Sequence, residues 1–286
     1  MTDFYQTGVI ATLHRLGEGD LGNVERQLEY FSRQQPIVVV LPALYSEFQK
    51  PAMDTILAEL CQVNYVQQFV VTLAQATAGQ FDDVVQRLSI LPGEVRVLWQ
   101  DGPRLQHLYR TLEHNRLQIG PDGKGRQTWL AYGYVLANRK ASVIATHDCD
   151  IVNYRRELLA RLCYPVVHPD IGFEFSKGYY ARLSHQMHGR VTRLLMTPLI
   201  RALQSIVGFL PFLLYLDSFR YPLAGEFAMQ ADLARVTACR LIGGSRWACW
   251  PRSTGIARPG VFARSTLPTT TSISTSSCRK AIQAKA

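Results

Sequence analysis

Two aspartates follow an apolar run near the middle of the sequence. Residues 142–150 read Ser-Val-Ile-Ala-Thr-His-Asp-Cys-Asp, so Asp148 and Asp150 come directly after β-branched and small apolar residues. Such a run is typical of a buried parallel strand, and ligands of open α/β sheets bind outside the carboxyl ends of strands. Two carboxylates this close repel each other unless a cation or an Arg or Lys side chain lies between them. The pattern therefore indicates a divalent metal bound with a diphosphate, and an exposed acidic turn is the alternative.

A second stretch with residue types suited to a phosphate precedes this run by one helix. Residues 120–125 read Gly-Pro-Asp-Gly-Lys-Gly, so the backbone is open to close approach by a ligand and Lys124 supplies a positive charge. The N–H groups of the helix that follows add further donors. The spacing is not that of a Walker A motif, which also requires Lys-Ser or Lys-Thr. We interpret the stretch as a diphosphate-binding loop, and a flexible turn is the alternative.

The residues that would bind a nucleoside follow the first two apolar runs. Pro42, Ala43 and Leu44 come after the first run and offer backbone groups to a base, while Glu47 offers a carboxylate. Thr72 ends the second run, where its hydroxyl would reach the same ligand. A plain connection between strand and helix fits the spacing of the first group equally well.

A candidate anion site precedes a predicted helix in the second half of the chain. Gly189, Arg190, Val191 and Thr192 lead into this helix. The Arg190 guanidinium and the helix N-terminus suit a small phosphate or carboxylate. A solvated helix start is the alternative.

Glu226 is a further candidate, at the predicted start of another helix. Its carboxylate would accept hydrogen bonds from sugar or acceptor hydroxyls, or would merely favour the helix dipole. Among the histidines, His147 is interpreted as a buried or supporting residue. The spacing of His168, His185 and His188 does not require a metal site.

The elements that must position these residues alternate along the chain. The hydrophobic pattern predicts strands over 36–41, 66–73, 95–99 and 142–146, and helices over 51–61, 82–91, 105–114 and 126–140. This alternation indicates an α/β protein with a parallel sheet. Beyond Asp150 the sequence predicts a helix over 155–163 that ends before Pro165, a strand within 172–183, a helix over 193–207 and a helix that begins near Glu226.

The positive charge of the chain is concentrated in residues 237–286. The net charge is +9, and this segment contains eight Lys and Arg residues and no acid, which leaves 23 bases and 22 acids in the rest. A nearly neutral body lacks the electrostatic footprint of a nucleic-acid-binding protein. The same segment is rich in Ser and Thr and has no clear periodicity. We expect a disordered basic tail or the product of a shifted reading frame.

Cysteine usage and hydropathy favour the cytoplasm. None of the six cysteines has C-x-x-C spacing, and the N-terminus lacks the basic start and apolar run of a signal peptide. The uncharged apolar stretch at 206–216 is shorter than the roughly 20 residues of a spanning helix. We expect no transmembrane segment, and we interpret this stretch as a core helix or a dimer face, with a membrane-surface contact as the remaining alternative.

Taken together and in this order, the motifs resemble glucosyl-3-phosphoglycerate synthases. The resemblance rests on Pro42-Ala43-Leu44 with Glu47, Gly123-Lys124-Gly125 with Trp129, Asp148-Cys149-Asp150, Gly189-Arg190-Val191-Thr192 and Leu223-Ala224-Gly225-Glu226. It implies a Rossmann-like nucleotide-sugar glycosyltransferase fold of the A type, with a mixed, mostly parallel sheet. The implied domain covers 1–236, with a nucleotide-binding part at 36–150 and an acceptor part at 151–236.

The resemblance also implies an activity and a set of residue roles. The family transfers glucose from UDP-glucose to the 2-hydroxyl of 3-phosphoglycerate with retention, uses Mg²⁺ (or Mn²⁺), and forms homodimers. By this resemblance the nucleotide-sugar residues are Pro42, Ala43, Leu44, Glu47, Thr72, Lys124 and Asp148, the metal ligand is Asp150, the acceptor residues are Gly189, Arg190, Val191 and Thr192, and the catalytic residues are Asp148, Asp150 and Glu226.

The sequence departs from the family pattern at two places. The family commonly has Asn-Glu directly after the leucine, whereas this chain has Tyr-Ser before Glu47. The family also has a metal-binding histidine downstream of the Gly-Glu element, and no histidine follows His188 here. Two alternatives therefore stay open. One is a related hexosyltransferase with another donor or a lipid-phosphate acceptor, and the other is an inactive, truncated nucleotide-binding remnant.

Overall fold

The described residues form one mixed sheet with helices on both faces. The computed structural model describes residues 10–13, 20–117, 119–179, 191–222 and 224–236, and the backbone of 262–266. The strands in these ranges are β1 (Ala11–Leu13), β2 (Ile37–Leu44), β3 (Val66–Ala74), β4 (Glu94–Trp99), β5 (Val143–Thr146), β6 (Phe175–Tyr179), β7 (Phe227–Gln230) and β8 (Phe262–Thr266). Their order across the sheet is β1-β8-β6-β7-β5-β2-β3-β4.

All neighbouring strands run parallel except β7, which is antiparallel to β5 and to β6. The expected mixed, mostly parallel α/β sheet is therefore confirmed. The helices in the described ranges are α1 (Leu21–Phe31), α2 (Tyr45–Phe48), α3 (Pro51–Leu60), α4 (Ala78–Leu88), α5 (Pro103–His114), α6 (Lys124–Asn138), α7 (Arg156–Val167), α8 (Thr197–Val207), α9 (Pro211–Asp217) and α10 (Ala231–Val236). A π-helical turn, Thr192–Met196, runs directly into α8.

Strand β2 shows how the sequence builds the core on both faces of the sheet. Alternate residues of its apolar run point to opposite faces, as the pleat of a strand requires. Val39 and Leu41 pack with residues of α1, α3, α4 and α7, whereas Val38 and Val40 pack with residues of α6 and α10. A strand covered on both faces needs apolar residues at every position, which is the reason for its continuous hydrophobic run.

Within the described ranges, no helix combines the length and the hydrophobicity that a bilayer crossing requires.

Three predicted elements differ from the structure. Strand β2 continues through Pro42, Ala43 and Leu44, which were predicted to follow a strand ending at Leu41, because β3 pairs with it along its full length. Helix α7 continues past Pro165 to Val167, because the last turn packs into the core and this burial outweighs the hydrogen bond that proline removes. The predicted helix near Glu226 is instead strand β7, since residues 227–230 pair with both β5 and β6.

Strand β8 lies in the segment that was predicted to be a basic tail. It pairs in parallel with β1 on one side and with β6 on the other. Sequence periodicity did not predict this strand. The rest of 237–286 lies outside the described residues, so the interpretation of the tail as a whole stays a prediction.

Candidate functional site

An ion pair joins the end of β5 to the start of α6. Asp148 lies two residues beyond β5, and its carboxylate accepts a hydrogen bond from Nζ of Lys124, the first residue of α6. The Asp148 side chain is 3% exposed and that of Lys124 is 35% exposed, so the lysine connects a buried carboxylate with the solvent side of the sheet. Gly123 precedes the helix with φ of 147°, a conformation that favours glycine. The structure thus brings the predicted phosphate loop and the Asp-x-Asp motif together.

The antiparallel direction of β7 places Gly225 and Glu226 at this same edge. Thr146 at the carboxyl end of β5 is the register partner of Phe227 at the amino end of β7, so the residues before Phe227 lie beside Asp148. A Cβ atom placed on Gly225 would overlap both carboxylate oxygens of Asp148. The close approach of this turn to the carboxylate therefore requires glycine.

Glu226 is a fully buried carboxylate with an unusual environment. It is 0% exposed, and neither of its oxygens has a hydrogen-bond partner among the described residues. Burial and the nearby Asp148 carboxylate raise the pKa of Glu226 to about 7, although its own amide, Lys124 and Lys177 act in the opposite direction. A buried carboxylate without donors is costly, which points to a ligand that supplies them.

Glu47 lies close to the Asp-x-Asp motif through the single-turn helix α2. Its Oε2 accepts a hydrogen bond from the Leu44 amide at 2.9 Å, which closes the end of β2. Burial raises the pKa of Glu47, the Asp150 carboxylate raises it further, and the Leu44 bond and Lys124 lower it. The charge of Glu47 is therefore influenced by both Asp150 and Lys124. The Tyr-Ser insertion before Glu47 forms the first two residues of α2.

Pro42 and Thr72 lie opposite each other in the register of β2 and β3. Strand β3 continues to Ala74, one residue beyond the predicted end at Leu73, and the Thr72 side chain is fully buried. Its hydroxyl has no hydrogen-bond partner in the part of the chain that the structure describes. Thr72 therefore lies within β3, two residues before the strand ends.

The predicted acceptor residues are only partly within the described ranges. Gly189 and Arg190 lie outside them, as does Leu223 of the Leu-Ala-Gly-Glu motif. Val191 is exposed, and Thr192 begins the π-helical turn before α8. A π-helical turn is frequent at functional sites, which is compatible with the predicted role without testing it.

Asp148 and Asp150 are the carboxylates that the sequence predicted to lie at a divalent metal. Among the described residues, no three His, Cys, Asp or Glu side chains are grouped so that they could hold a metal ion. Asp148 is paired with Lys124, and Asp150 is the metal ligand that the family resemblance implies. Mg²⁺ and Mn²⁺ are suited to such a site, since they bind through one or two carboxylates together with phosphate oxygens.

Sequence reasoning missed Lys177, a buried residue of β6 whose Nζ donates to the Ala224 carbonyl at 2.7 Å. The available signal was a lysine within an apolar and aromatic strand, where charge is rarely placed. His147 is buried, although the satisfied hydrogen bonds expected of a buried histidine are not found among the described residues; burial lowers its pKa to about 3, so its ring is neutral. Neither of its ring nitrogens has a partner in the described ranges.

Comparison with known proteins identifies relatives along most of the chain. No protein-family model matches it. The glucosyl-3-phosphoglycerate synthase of Persephonella marina is 53% identical over 235 residues, which are 82% of this chain and 58% of that protein. The protein of the same name from Methanococcoides burtonii is 38% identical over 236 residues, 81% of this chain and 57% of that protein. The chain therefore spans less than two thirds of the length of these relatives.

Solved structures show the same fold. The glucosyl-3-phosphoglycerate synthase of Mycobacterium tuberculosis in complex with Mn²⁺, UDP and phosphoglyceric acid matches with a TM-score of 0.60 and 21% identity, over 90% of this chain and 75% of that one. A complex of that protein with Mn²⁺, UDP-glucose and phosphoglyceric acid matches with a TM-score of 0.59 and 20% identity, over 90% and 76%. Identity this low supports the A-type glycosyltransferase fold alone. With the curated relatives, it follows that the chain, over the residues that align with them, belongs to the glucosyl-3-phosphoglycerate synthase family.

Proposed function

We propose that this chain is a metal-dependent hexosyltransferase that moves glucose from UDP-glucose to 3-phosphoglycerate, giving glucosyl-3-phosphoglycerate with retention. The observation that carries the proposal is the buried Glu226 carboxylate, which lacks donors among the described residues and lies beside the Asp148–Lys124 pair. Hydroxyl groups of a sugar would supply the missing donors. The names of the curated relatives agree with this substrate class.

The nucleotide part of the donor would lie across the ends of β2 and β5. Backbone groups of Pro42, Ala43 and Leu44 would bind the base, and Glu47 would bind a hydroxyl or an amide. Thr72 is assigned to the nucleotide by the family resemblance. Lys124 would contribute positive charge to the diphosphate side while its Nζ stays paired with the Asp148 carboxylate.

The leaving group requires stabilisation because UDP departs with additional negative charge. A bound Mg²⁺ or Mn²⁺ supplies this by neutralising the diphosphate oxygens, and Asp150 is the residue assigned to hold it. Asp148 would bind the sugar or ribose hydroxyls while it stays paired with Lys124. Glu226 would orient the glucose by accepting from its hydroxyls. Retention implies that the acceptor attacks from the face that UDP leaves, so no covalent carboxylate nucleophile is needed.

The acceptor would bind before α8. Gly189, Arg190, Val191 and Thr192 are assigned to 3-phosphoglycerate by the family resemblance, and an arginine suits a phosphate or carboxylate. Arg190 would hold this anion close to another anion, the diphosphate, which explains the need for a fixed positive charge there.

We also propose a homodimer in the cytoplasm. The exposed residues of the π-helical turn, α8 and α9 form an apolar face, defined by Val191, Leu194, Leu195, Leu199, Leu203, Ile206, Val207, Phe209, Leu210 and Phe212. An apolar face of this extent usually marks an interaction site, and a second copy of the chain is the occupant that the family resemblance favours. The described cysteines, Cys61, Cys149 and Cys163, are free thiols, in keeping with a reducing compartment.

A nucleotide-binding remnant without transferase activity is the second candidate. The departure from the family pattern before Glu47 is the observation that favours it. Such a remnant would bind UDP with a metal but would not transfer glucose.

The deciding experiment uses the purified full chain with Mg²⁺. UDP-glucose and 3-phosphoglycerate are incubated together, and glucosyl-3-phosphoglycerate is measured by mass spectrometry, with GDP-mannose as an alternative donor. Product from UDP-glucose supports the proposal. Calorimetric binding of UDP without product supports the remnant. The absence of both UDP binding and product would contradict both candidates.

A further inference from the structure

A buried lysine lies beside the turn that carries Glu226. Lys177 of β6 is 4% exposed, and lysine is almost never this buried unless it is paired. Its Nζ donates to the carbonyl oxygen of Ala224 at 2.7 Å and lies 5.4 Å from the centroid of the Phe227 ring. The lysine thus contacts the residues on both sides of the Gly225-Glu226 pair.

Strand β6 holds the same turn through its backbone. The Gly178 amide donates to the carbonyl oxygen of Glu226 at 3.0 Å, and Lys177 is the register partner of Phe227. Two consecutive residues of β6 therefore bond to the two ends of the segment 224–226. Because Gly225 lies against the Asp148 carboxylate within this segment, a shift of the turn would move Gly225 and Glu226 together.

The charge of Lys177 also acts on the site. It lies near enough to Glu226 to oppose the rise in the pKa of that carboxyl. Burial of the Lys177 ammonium costs several kcal/mol of lost hydration. The Ala224 carbonyl, the face of the Phe227 ring and the Glu226 carboxylate together offset this cost. A methionine would fill the same space without this loss, so packing alone does not explain a lysine at this position.

We propose that Lys177 is a positioning residue, which holds the 224–226 turn so that Gly225 stays in contact with Asp148 and Glu226 keeps its place. Lys177 acts through this turn and does not touch the substrates. Only the catalytic consequence of this inference rests on the proposed function.

The geometric part is tested by hydrogen–deuterium exchange on the full chain without ligand. Lys177→Met should speed amide exchange in peptides covering 224–228 by roughly tenfold, because the local hydrogen bond and charge contacts are lost, and should leave peptides from β2 and β3 unchanged. Lys140→Met, at an exposed lysine 3.6 Å from Glu94, is the matched control and should change neither region.

Unchanged exchange at 224–228, or an equal increase across the whole sheet, would overturn the proposal. If Lys177→Met does not fold, Lys177→Gln is measured by the same criteria, since it removes the charge but keeps a polar group.

The catalytic part is tested by comparing turnover with binding. Lys177→Met should lower kcat by roughly tenfold to a hundredfold, because a small misplacement of groups around the reacting atoms is costly. The Kd for UDP with Mg²⁺ should stay within about twofold, because the nucleotide residues lie on other elements. Equal losses in kcat and in UDP affinity would show that Lys177 has only a general structural role. If the wild-type chain neither binds UDP nor forms product, the proposed function fails, and the exchange measurement still decides the role of Lys177.

Discussion

Gly225 lies directly against the carboxylate of Asp148, so that the turn before β7 and the end of β5 touch without room for a side chain between them. This contact joins the two parts of the candidate site, because Asp148 pairs with Lys124 on one side and Gly225 precedes Glu226 on the other. The consequences of disturbing it can be measured.

Gly225→Ala should damage the site more than the fold. The added Cβ would overlap the Asp148 carboxylate, and overpacking of this kind costs about 1–3 kcal/mol. Turnover should fall by roughly a hundredfold as Asp148 and Glu226 move apart. Urea denaturation measures the loss of stability, and product formation measures the loss of turnover. Gly133→Ala in α6, where a Cβ meets no atom within 4 Å, is the control and should be neutral or slightly stabilising. If Gly225→Ala turned over at the wild-type rate, the contact between Gly225 and Asp148 would not be needed for the site.

Lys124→Met should leave the Asp148 carboxylate buried without its cation. Removing one partner of a fully buried pair costs 3–5 kcal/mol, and because Lys124 is one-third exposed we expect roughly 1–3 kcal/mol in the free energy of unfolding. UDP affinity should fall as well. Lys140→Met, an exposed lysine, should cost less than about 0.5 kcal/mol. Equal effects of the two substitutions would show that the Lys124–Asp148 pair is not energetically important.

Glu226→Gln should change the pH dependence of stability. The folded pKa of about 7 lies above the value of 4.5 for an unperturbed glutamate, so the native state disfavours the charged form. The free energy of unfolding of the wild type therefore falls as the pH rises from about 4.5 to 7 and is lower by a constant amount above that, by up to ~3 kcal/mol. Glu226→Gln has no titrating group at this position and does not lose this stability.

The measurement is urea denaturation of the ligand-free wild type and Glu226→Gln at pH 5 and pH 8. The variant should gain stability relative to the wild type at the higher pH. Glu113→Gln, at an exposed position of α5, is the control. A stability difference that is the same at both pH values would contradict the assignment of the raised pKa to Glu226.

Asp150→Ala should remove the metal dependence of nucleotide binding without unfolding the chain. If Asp150 holds the cation, Mg²⁺ should strengthen UDP binding in the wild type at least tenfold, by roughly 1.4 kcal/mol, and should have little effect in the variant. Calorimetry with and without Mg²⁺ measures this. Asp82→Ala, at an exposed aspartate of α4, should behave as the wild type. Retained Mg²⁺ dependence in Asp150→Ala would show that the ligand is another residue.

Ile206→Glu should dissociate the proposed dimer. Ile206 is 78% exposed within the apolar face, and a buried charge at an interface between two copies is strongly unfavourable. Light scattering after gel filtration should show a dimer for the wild type and a monomer for the variant. Ile90→Glu places the same charge at an exposed isoleucine outside the face and should stay dimeric. A monomeric wild type would contradict the homodimer and leave the apolar face to another partner.

The parallel core of the sheet was predictable because its strands are buried on both faces. Apolar runs at β2 and β5, and the largely apolar β3, leave few alternatives to parallel strands separated by helices. The run at 227–230 is only four residues long and precedes a short helix, so local pattern favoured a helix from Glu226 onwards. Pairing with β5 and β6 outweighed that local preference.

The sequence by itself determined the chemical groups and the strand ends that carry them, because an acidic pair after a buried strand and a glycine-rich stretch before a helix are local patterns. Tertiary structure alone decided that an antiparallel strand brings Gly225 and Glu226 to Asp148, and that Lys177 lies beneath them. The physical reason is that strand direction and register depend on contacts between residues distant in sequence. The burial that raises the pKa of Glu226 depends on the same contacts.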